Sequence, residues 1–178
     1  MHEAQTNFLV RVKETFPDNF KNCKVLEVGS LDINGTIRIL FDNCEYTGLD
    51  VGPGPCVDVV CSGHEYDAPD NSFDTVVSSE CFEHNPYWLE TFKNMYRMCK
   101  PGGLVVFTCA TDGRPEHGTN RTQAWASRLT VEIGWGDYYR NLNAIDFESA
   151  LDLKEMFSSH AFSVEIFSHD LYFCGVKK

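Results

Sequence analysis

The sequence predicts an α/β fold: a mixed seven-stranded sheet with helices on both faces and a reversed strand at its C-terminal end. Three observations carry this expectation. Apolar runs of strand length alternate with segments of helical period between residues 24 and 110, the pattern of a parallel sheet. The closing strands, 161–168 and 171–176, are joined by about two residues, too few for a crossover helix, so they must form an antiparallel hairpin. The chain has 178 residues, 43% of them hydrophobic and 23% charged, which suits one globular domain with a real core.

The elements follow in order. Residues 2–16 place Phe8, Leu9, Val12 and Phe16 on one helical face. KVLEV (24–28) is a buried strand closed by Gly29, and a short helix is expected from Gly35 to Phe41. EYTGLD (45–50) is a second strand and VDVV (57–60) a third. FDTVVSS (73–79) is a fourth, introduced by the turn-rich DAPDNS. Trp88, Leu89, Phe92, Met95, Tyr96 and Cys99 form the stripe of a helix over 86–99, with Pro86 near its first turn. Lys100-Pro101-Gly102-Gly103 breaks that helix and leads into LVVFTCA (104–110). Residues 111–143 lose regular pattern, and a connection of that length in a compact domain is usually functional. A helix over 146–159 precedes the hairpin.

Fifteen basic residues against 26 acidic ones give a net charge of −11. That balance argues against a protein that grips nucleic acid mainly through its overall field, while leaving a local basic site open. No stretch approaches the roughly 20 apolar residues of a membrane span. The opening MHEAQTNFLVRVKETF is polar and amphipathic, unlike a signal peptide, so a cytoplasmic location is expected. The eight cysteines are scattered without a C-x-x-C pair, mostly in or beside apolar runs, and read as reduced structural thiols.

The strongest local signal is VLEVGSLDINGT (25–36), a strand, a glycine-bearing turn and the start of a helix. The spacing is not G-x-G-x-x-G, so a pyrophosphate cradle is poorly supported. Glu27 beside Gly29 would repel a phosphate but welcome a cationic ligand. Asp50 ends the second strand, where an acid in a Rossmann-like sheet accepts hydrogen bonds from a ribose diol. Each signal has a plain alternative, an ordinary strand–turn–helix or a solvated strand-end acid. Both, however, fall at the carboxyl ends of neighbouring strands, where such sheets bind ligands.

From Lys24 to Ala110 the chain resembles the class I S-adenosylmethionine-dependent methyltransferases. Glu27-x-Gly29 resembles their first motif, Asp50 the ribose-binding acid, Ser62-Gly63-His64 the adenine-side segment, FDTVVSSECFEH the fourth-strand motif and KPGG the lead into the fifth strand. The resemblance implies S-adenosylmethionine as cofactor. It implies contacts from Glu27, Gly29, Ser30, Asn34 and Gly35, then Asp50 and Val51, then Ser62, Gly63 and His64, then Glu80. It also implies a single domain over 1–178, with cofactor motifs in 24–110, a lid or substrate segment in 111–143, and a closing helix and hairpin in 146–176.

The implied chemistry is direct displacement onto a small polar acceptor, with O-methylation the expected reaction. A hydroxyl acceptor must lose a proton. His117, after the fifth strand, is the first candidate base, with Glu116 as its orienting partner. His84, after the fourth strand, is the second. His2, His160 and His169 are expected to lie away from that edge. Asp112, Glu116 and His117 lack a ligand spacing, so no metal is expected.

Four of the seven arginines, Arg114, Arg121, Arg128 and Arg140, fall in 111–143, which contains no lysine. Arg114, Arg121 and Trp125 are therefore candidate contacts for an anionic or sugar-like acceptor. The competing reading pairs the arginines with the local acids Asp112, Glu116, Glu132 and Asp137. Trp125, Trp135, Tyr138 and Tyr139 suit a lid or a subunit contact, which leaves an oligomer open. Two other functions compete: a nicotinamide-dependent oxidoreductase, and a methyltransferase-like binding module without catalysis.

Overall fold

The structure, a computed structural model, describes residues 3–178. Its sheet has seven strands in the order β3-β2-β1-β4-β5-β7-β6. These are β1 (Lys24–Val28), β2 (Glu45–Asp50), β3 (Val59–Val60), β4 (Phe73–Ser79), β5 (Cys99–Ala110), β6 (Phe157–Glu165) and β7 (Asp170–Lys177). The first five pair in parallel, whereas β7 is antiparallel to both β5 and β6. The expected α/β sheet with its reversed strand is what forms.

Alternation along each strand divides the core between two faces. Leu26, Val28, Val105, Phe107 and Phe173 face one side, where α2 (Trp88–Met98), α4 (Ala144–Ala150) and α5 (Leu153–Met156) cover them. Val25, Val77, Val106 and Tyr172 face the other, beneath Phe8, Leu9 and Val12 of α1 (Glu3–Thr15). Phe107 is the hub of the first face. Its ring stacks on Phe147 at 4.8 Å and on Phe173 at 5.2 Å, and Phe82 packs at 4.9 Å.

Several boundaries differ from expectation, each for a local reason. The helix expected over 35–41 is one 3-10 turn, Ile37–Leu40, capped by the Thr36 hydroxyl accepting from the Arg38 amide. The third strand keeps only Val59–Val60, because the Asp58 carboxylate takes the Gly48 amide that a longer ladder would bond. The Asn85 side chain accepts from the Tyr87 amide in a turn, which delays α2 to Trp88. Residues 100–103 do not simply precede β5. Cys99 already pairs with Phe73 and Leu104 with Thr75, so the glycines bulge out of a longer strand.

The helix expected over 146–159 is cut in two. Asn143 and Asp146 form a capping box that starts α4 early, Asp152 caps α5, and Phe157 already belongs to β6. The hairpin turn therefore spans 166–169, with longer strands on either side than expected. Segment 111–143 holds a 3-10 turn, Ala124–Ser127, and α3 (Arg128–Glu132), and is otherwise irregular. All eight cysteines are free thiols, although Cys23 and Cys44 bring their sulfurs within 3.3 Å. No helix among the described residues is long and apolar enough to cross a membrane.

If Phe107 is the hub, Phe107→Ala should lower the unfolding free energy by about 3–5 kcal/mol. Urea unfolding at an unchanged m-value measures this, and a loss below about 1 kcal/mol would show that the ring cluster is not the centre of the core.

Candidate functional site

The chain leaves β1 to build β2 and β3 on one side, then crosses back to lay β4 on the other. The connections diverge at that switch point, so a crevice opens beyond the carboxyl ends of β1 and β4. A cavity of about 300 Å³ occupies it.

Gly29 makes the floor possible. It has φ +80°, and a Cβ there would lie 2.7 Å from the Cβ of Cys81. Any other residue would force apart the ends of β1 and β4. The hydroxyl of Ser30 is buried, lines the cavity, and has no hydrogen-bond partner among the described residues. Asn34 and Gly35 continue the same wall.

Two acids flank this turn. Glu27 is 4% exposed and accepts a hydrogen bond from the Tyr46 hydroxyl at 2.8 Å. Burial, aided by the charges of Asp50 and Asp32, pushes its pKa up to about 8 despite Tyr46 and Arg38. Asp50 accepts from the amides of Leu31 and Val51 at 2.9 and 2.8 Å, yet its burial still raises its pKa.

A smaller chamber of about 30 Å³ adjoins, sharing Gly29 and Asp50 and adding Val51, Ser62 and Gly63. Thr130 and Trp135 from the 111–143 segment form its opposite wall. His64 lines neither space. It stacks on Tyr87 at 4.1 Å, with Nδ1 2.7 Å from the Ser62 hydroxyl.

The other end of the main cavity holds Glu80, His84, Arg114 and His117. Glu80 sits at φ +52°, accepts from the Thr108 hydroxyl at 3.1 Å and lies 3.9 Å from Arg114. Burial, then the charge of Asp170, pushes its pKa up to about 7. Arg114 donates to the buried carboxylate of Asp170 at 2.8 Å and to the Ser168 carbonyl at 2.6 Å.

His84 and His117 meet edge to face with ring centres 5.0 Å apart. Burial holds His84 neutral, with its pKa down to about 3, and its Nδ1 has no partner. Burial also lowers the pKa of His117. Its Nδ1 lies 3.1 Å from the Pro115 carbonyl and 3.2 Å from the Tyr139 hydroxyl. A carbonyl only accepts, so Nδ1 carries the proton and Nε2 keeps its lone pair.

Some expectations need correction. Glu116 does not orient His117. Its carboxylate is taken by the Thr119 hydroxyl at 2.6 Å and by Arg121 at 2.8 Å. Arg121 also lies 3.8 Å from Asp137, outside both spaces, which matches the reading of arginines paired with local acids. Trp125 stands at the cavity wall but is 68% exposed. His169 does reach the carboxyl edge, because the reversed β7 carries its turn there, with Nδ1 3.1 Å from the Asp112 carbonyl. His160 is on β6, and His2 lies outside the described residues. The sequence alone assigns no individual role to Asp170, Glu83 or Thr130, and offers Tyr139 and Trp135 only as parts of a lid or a subunit contact. The adjacency of Glu83 to His84 and an acid opening the apolar run DLYFCGV were the available signals.

An open sheet with a crevice at its switch point and an acid at the carboxyl end of each of the first two strands defines a Rossmann-like ligand-binding fold. Within that class the methyltransferase domain family matches residues 2–165, and the chain belongs to it. Membership sets aside the nicotinamide oxidoreductase reading. The chain is 41% identical over 51 residues, 29% of its length, to phosphoethanolamine N-methyltransferase 2 of Caenorhabditis elegans, and spans only 12% of that relative.

Two solved structures share the fold. One is the Burkholderia thailandensis 1,6-didemethyltoxoflavin-N1-methyltransferase with 1,6-didemethyltoxoflavin and S-adenosylhomocysteine bound. Its TM-score is 0.66 at 15% identity, covering 99% of this chain and 79% of that one. The other is the Haemonchus contortus phosphoethanolamine N-methyltransferase 2 with phosphomonomethylethanolamine and S-adenosylhomocysteine. Its TM-score is 0.65 at 18% identity, covering 98% of this chain and 53% of that one.

Glu27 supplies a test of the site's electrostatics. The folded protein keeps a proton up to about pH 8 that the unfolded chain, with an ordinary carboxyl near 4.5, has released. Its contribution to stability therefore falls as pH rises from about 5 to 8, by on the order of 1 kcal/mol per pH unit at most. Glu27→Gln should flatten that part of the stability profile in urea titrations. Parallel profiles for the two proteins would show that Glu27 is ionised throughout.

Proposed function

We propose that the chain transfers a methyl group from S-adenosylmethionine to a small polar acceptor, in the first instance a hydroxyl compound. The observation that carries this reading is the continuity of one cleft, with Glu27, Gly29, Ser30 and Asp50 at one end and His84 and His117 at the other. The residues present fit the cofactor: an unsatisfied buried hydroxyl at Ser30, a close-approach glycine and a buried acid suit a cationic nucleoside ligand. Glu27 would face its charged methionine portion, Asp50 its ribose, and Val51, Ser62 and Gly63 its adenine.

When bound, this cofactor supplies a methyl group already activated by a sulfonium. The protein's own work is to hold the acceptor in line, keep water out and accept a proton. The acceptor oxygen forms the new O–C bond as the S–C bond breaks, and that electron pair stays on sulfur. The free Nε2 of His117 takes the proton.

An amine acceptor is the second reading, and a specific observation favours it. Arg114 is already balanced by Asp170 and Glu80, and Arg121 by Glu116 and Asp137, so neither offers surplus positive charge to an anion. The relatives named above are N-methyltransferases. Arg128, which lines the cleft beside Trp125, is left to meet an acidic group on the acceptor.

Transfer of labelled methyl to a panel of small alcohols and amines tests the reading. Asp50→Ala should weaken cofactor affinity about tenfold or more in calorimetry. His117→Ala should lower turnover by something like a hundredfold with affinity intact. Absence of cofactor binding in the wild-type protein would overturn the proposal, whereas binding without turnover on any acceptor would leave the binding-module alternative.

A further inference from the structure

Behind the two histidines lies a carboxylate that the methyl-transfer reading leaves unused. Glu83 is fully buried, and neither of its side-chain oxygens has a hydrogen-bond partner among the described residues. It precedes His84 on the one-turn 3-10 helix Phe82–His84, and His84 is itself 5% exposed with an unpartnered Nδ1. One ligand atom from each of Glu83, His84 and His117 lies within 4.8 Å of the other two. The Glu83 carboxylate and the His84 Nδ1, buried without partners, cost free energy unless something satisfies them.

We propose that Glu83, His84 and His117 bind a divalent transition-metal ion, which holds the acceptor's reacting oxygen. Two imidazoles and one carboxylate are the donor set of open zinc and non-haem iron sites, whereas magnesium and calcium take sets made of oxygen. Zinc bound tetrahedrally at about 2.0–2.1 Å has donors roughly 3.4 Å apart. The donors, within 4.8 Å of one another, need to close by no more than about 1.4 Å to reach that spacing, and His117 can supply that movement from its irregular loop, where Gly118 has φ +64°. His84 and His117 line the cleft and Glu83 does not, so the open coordination position faces the cleft.

Charge points the same way. Glu80, Glu83 and Asp170 surround Arg114, and with all of them ionised the cluster carries −2, which a divalent ion neutralises.

The inference rests on the methyl-transfer reading and refines it. With the ion bound, the Nε2 of His117 is a ligand rather than a base. The acceptor hydroxyl coordinates the ion, loses its proton to water at the open side of the cleft, and attacks as an alkoxide.

The test uses the whole chain, freed of metal by dialysis against a chelator and titrated with Co²⁺. One equivalent should bind with the visible absorption of a tetrahedral nitrogen–oxygen site, and Zn²⁺ should displace it. Glu83→Gln and His117→Asn, each checked for folding by circular dichroism, should weaken Co²⁺ binding at least a hundredfold. Failure to bind Co²⁺ or Zn²⁺ overturns the proposal, as does binding that both variants leave unchanged. Methyl transfer at full rate by protein shown to be metal-free also overturns it, and leaves His117 as a base. If the ion binds through these residues but no acceptor is methylated, the site stands and the functional reading falls.

Discussion

The site depends on the parallel pairing of β1 with β4, which sets Val25 to Val28 against Thr75 to Ser78. The Ser78 hydroxyl reinforces that pairing by donating to the Val28 carbonyl at 2.8 Å. Both strands stop at nearly the same level, and their continuations must part, because β1 feeds β2 on one side and β4 feeds β5 on the other. The crevice is a consequence of this order. Gly29 is the tightest point of the arrangement, since the turn after β1 crosses against Cys81. A ligand in the crevice meets the backbone of one strand end and the side chains of the other.

A second constraint comes from the reversed β7. Antiparallel pairing to β5 sets Asp170 opposite Ala110, at the same edge of the sheet as the ends of the parallel strands. Asp170 is fully buried there and accepts from Arg114, from the Ser168 hydroxyl at 2.6 Å and from the Tyr172 hydroxyl at 3.3 Å. Arg114 in turn ties the loop after β5 to the hairpin and stands beside Glu80. The loop that presents His117 is thus anchored by a buried ion pair, and removing one partner of such a pair leaves an uncompensated charge. Arg114 acts as a strut for the end of the cleft that holds His84 and His117.

The legible parts of the sequence were those whose structure is fixed locally. The bounds of β1, β2 and β4 could be read because their runs are flanked by turn residues, and the crevice-lining residues follow these strand ends directly in the chain. The start of β6 could not be read. FSSHAFSVE is an edge strand with mostly exposed residues, and its pairing with β7, rather than its own pattern, makes it extended. The site was lost in the same way. Glu116 adjoins His117 in sequence, but Arg121, five residues on, claims its carboxylate. Asp170 and Trp135 reach the site through the topology of β7 and the course of segment 111–143, which no local spacing encodes.

The buried acids give the cleft a selectivity of its own. Burial raises the pKa of Glu27 to about 8 and that of Glu80 to about 7, so near neutral pH an empty cleft bears less charge than its residues suggest. A cationic ligand beside Glu27 favours the ionised carboxyl, and binding must then release a proton below about pH 8. A neutral ligand of the same shape makes no such demand and gains no charge-assisted hydrogen bond. The cost of ionising a buried acid is therefore met only by a ligand that brings its own positive charge.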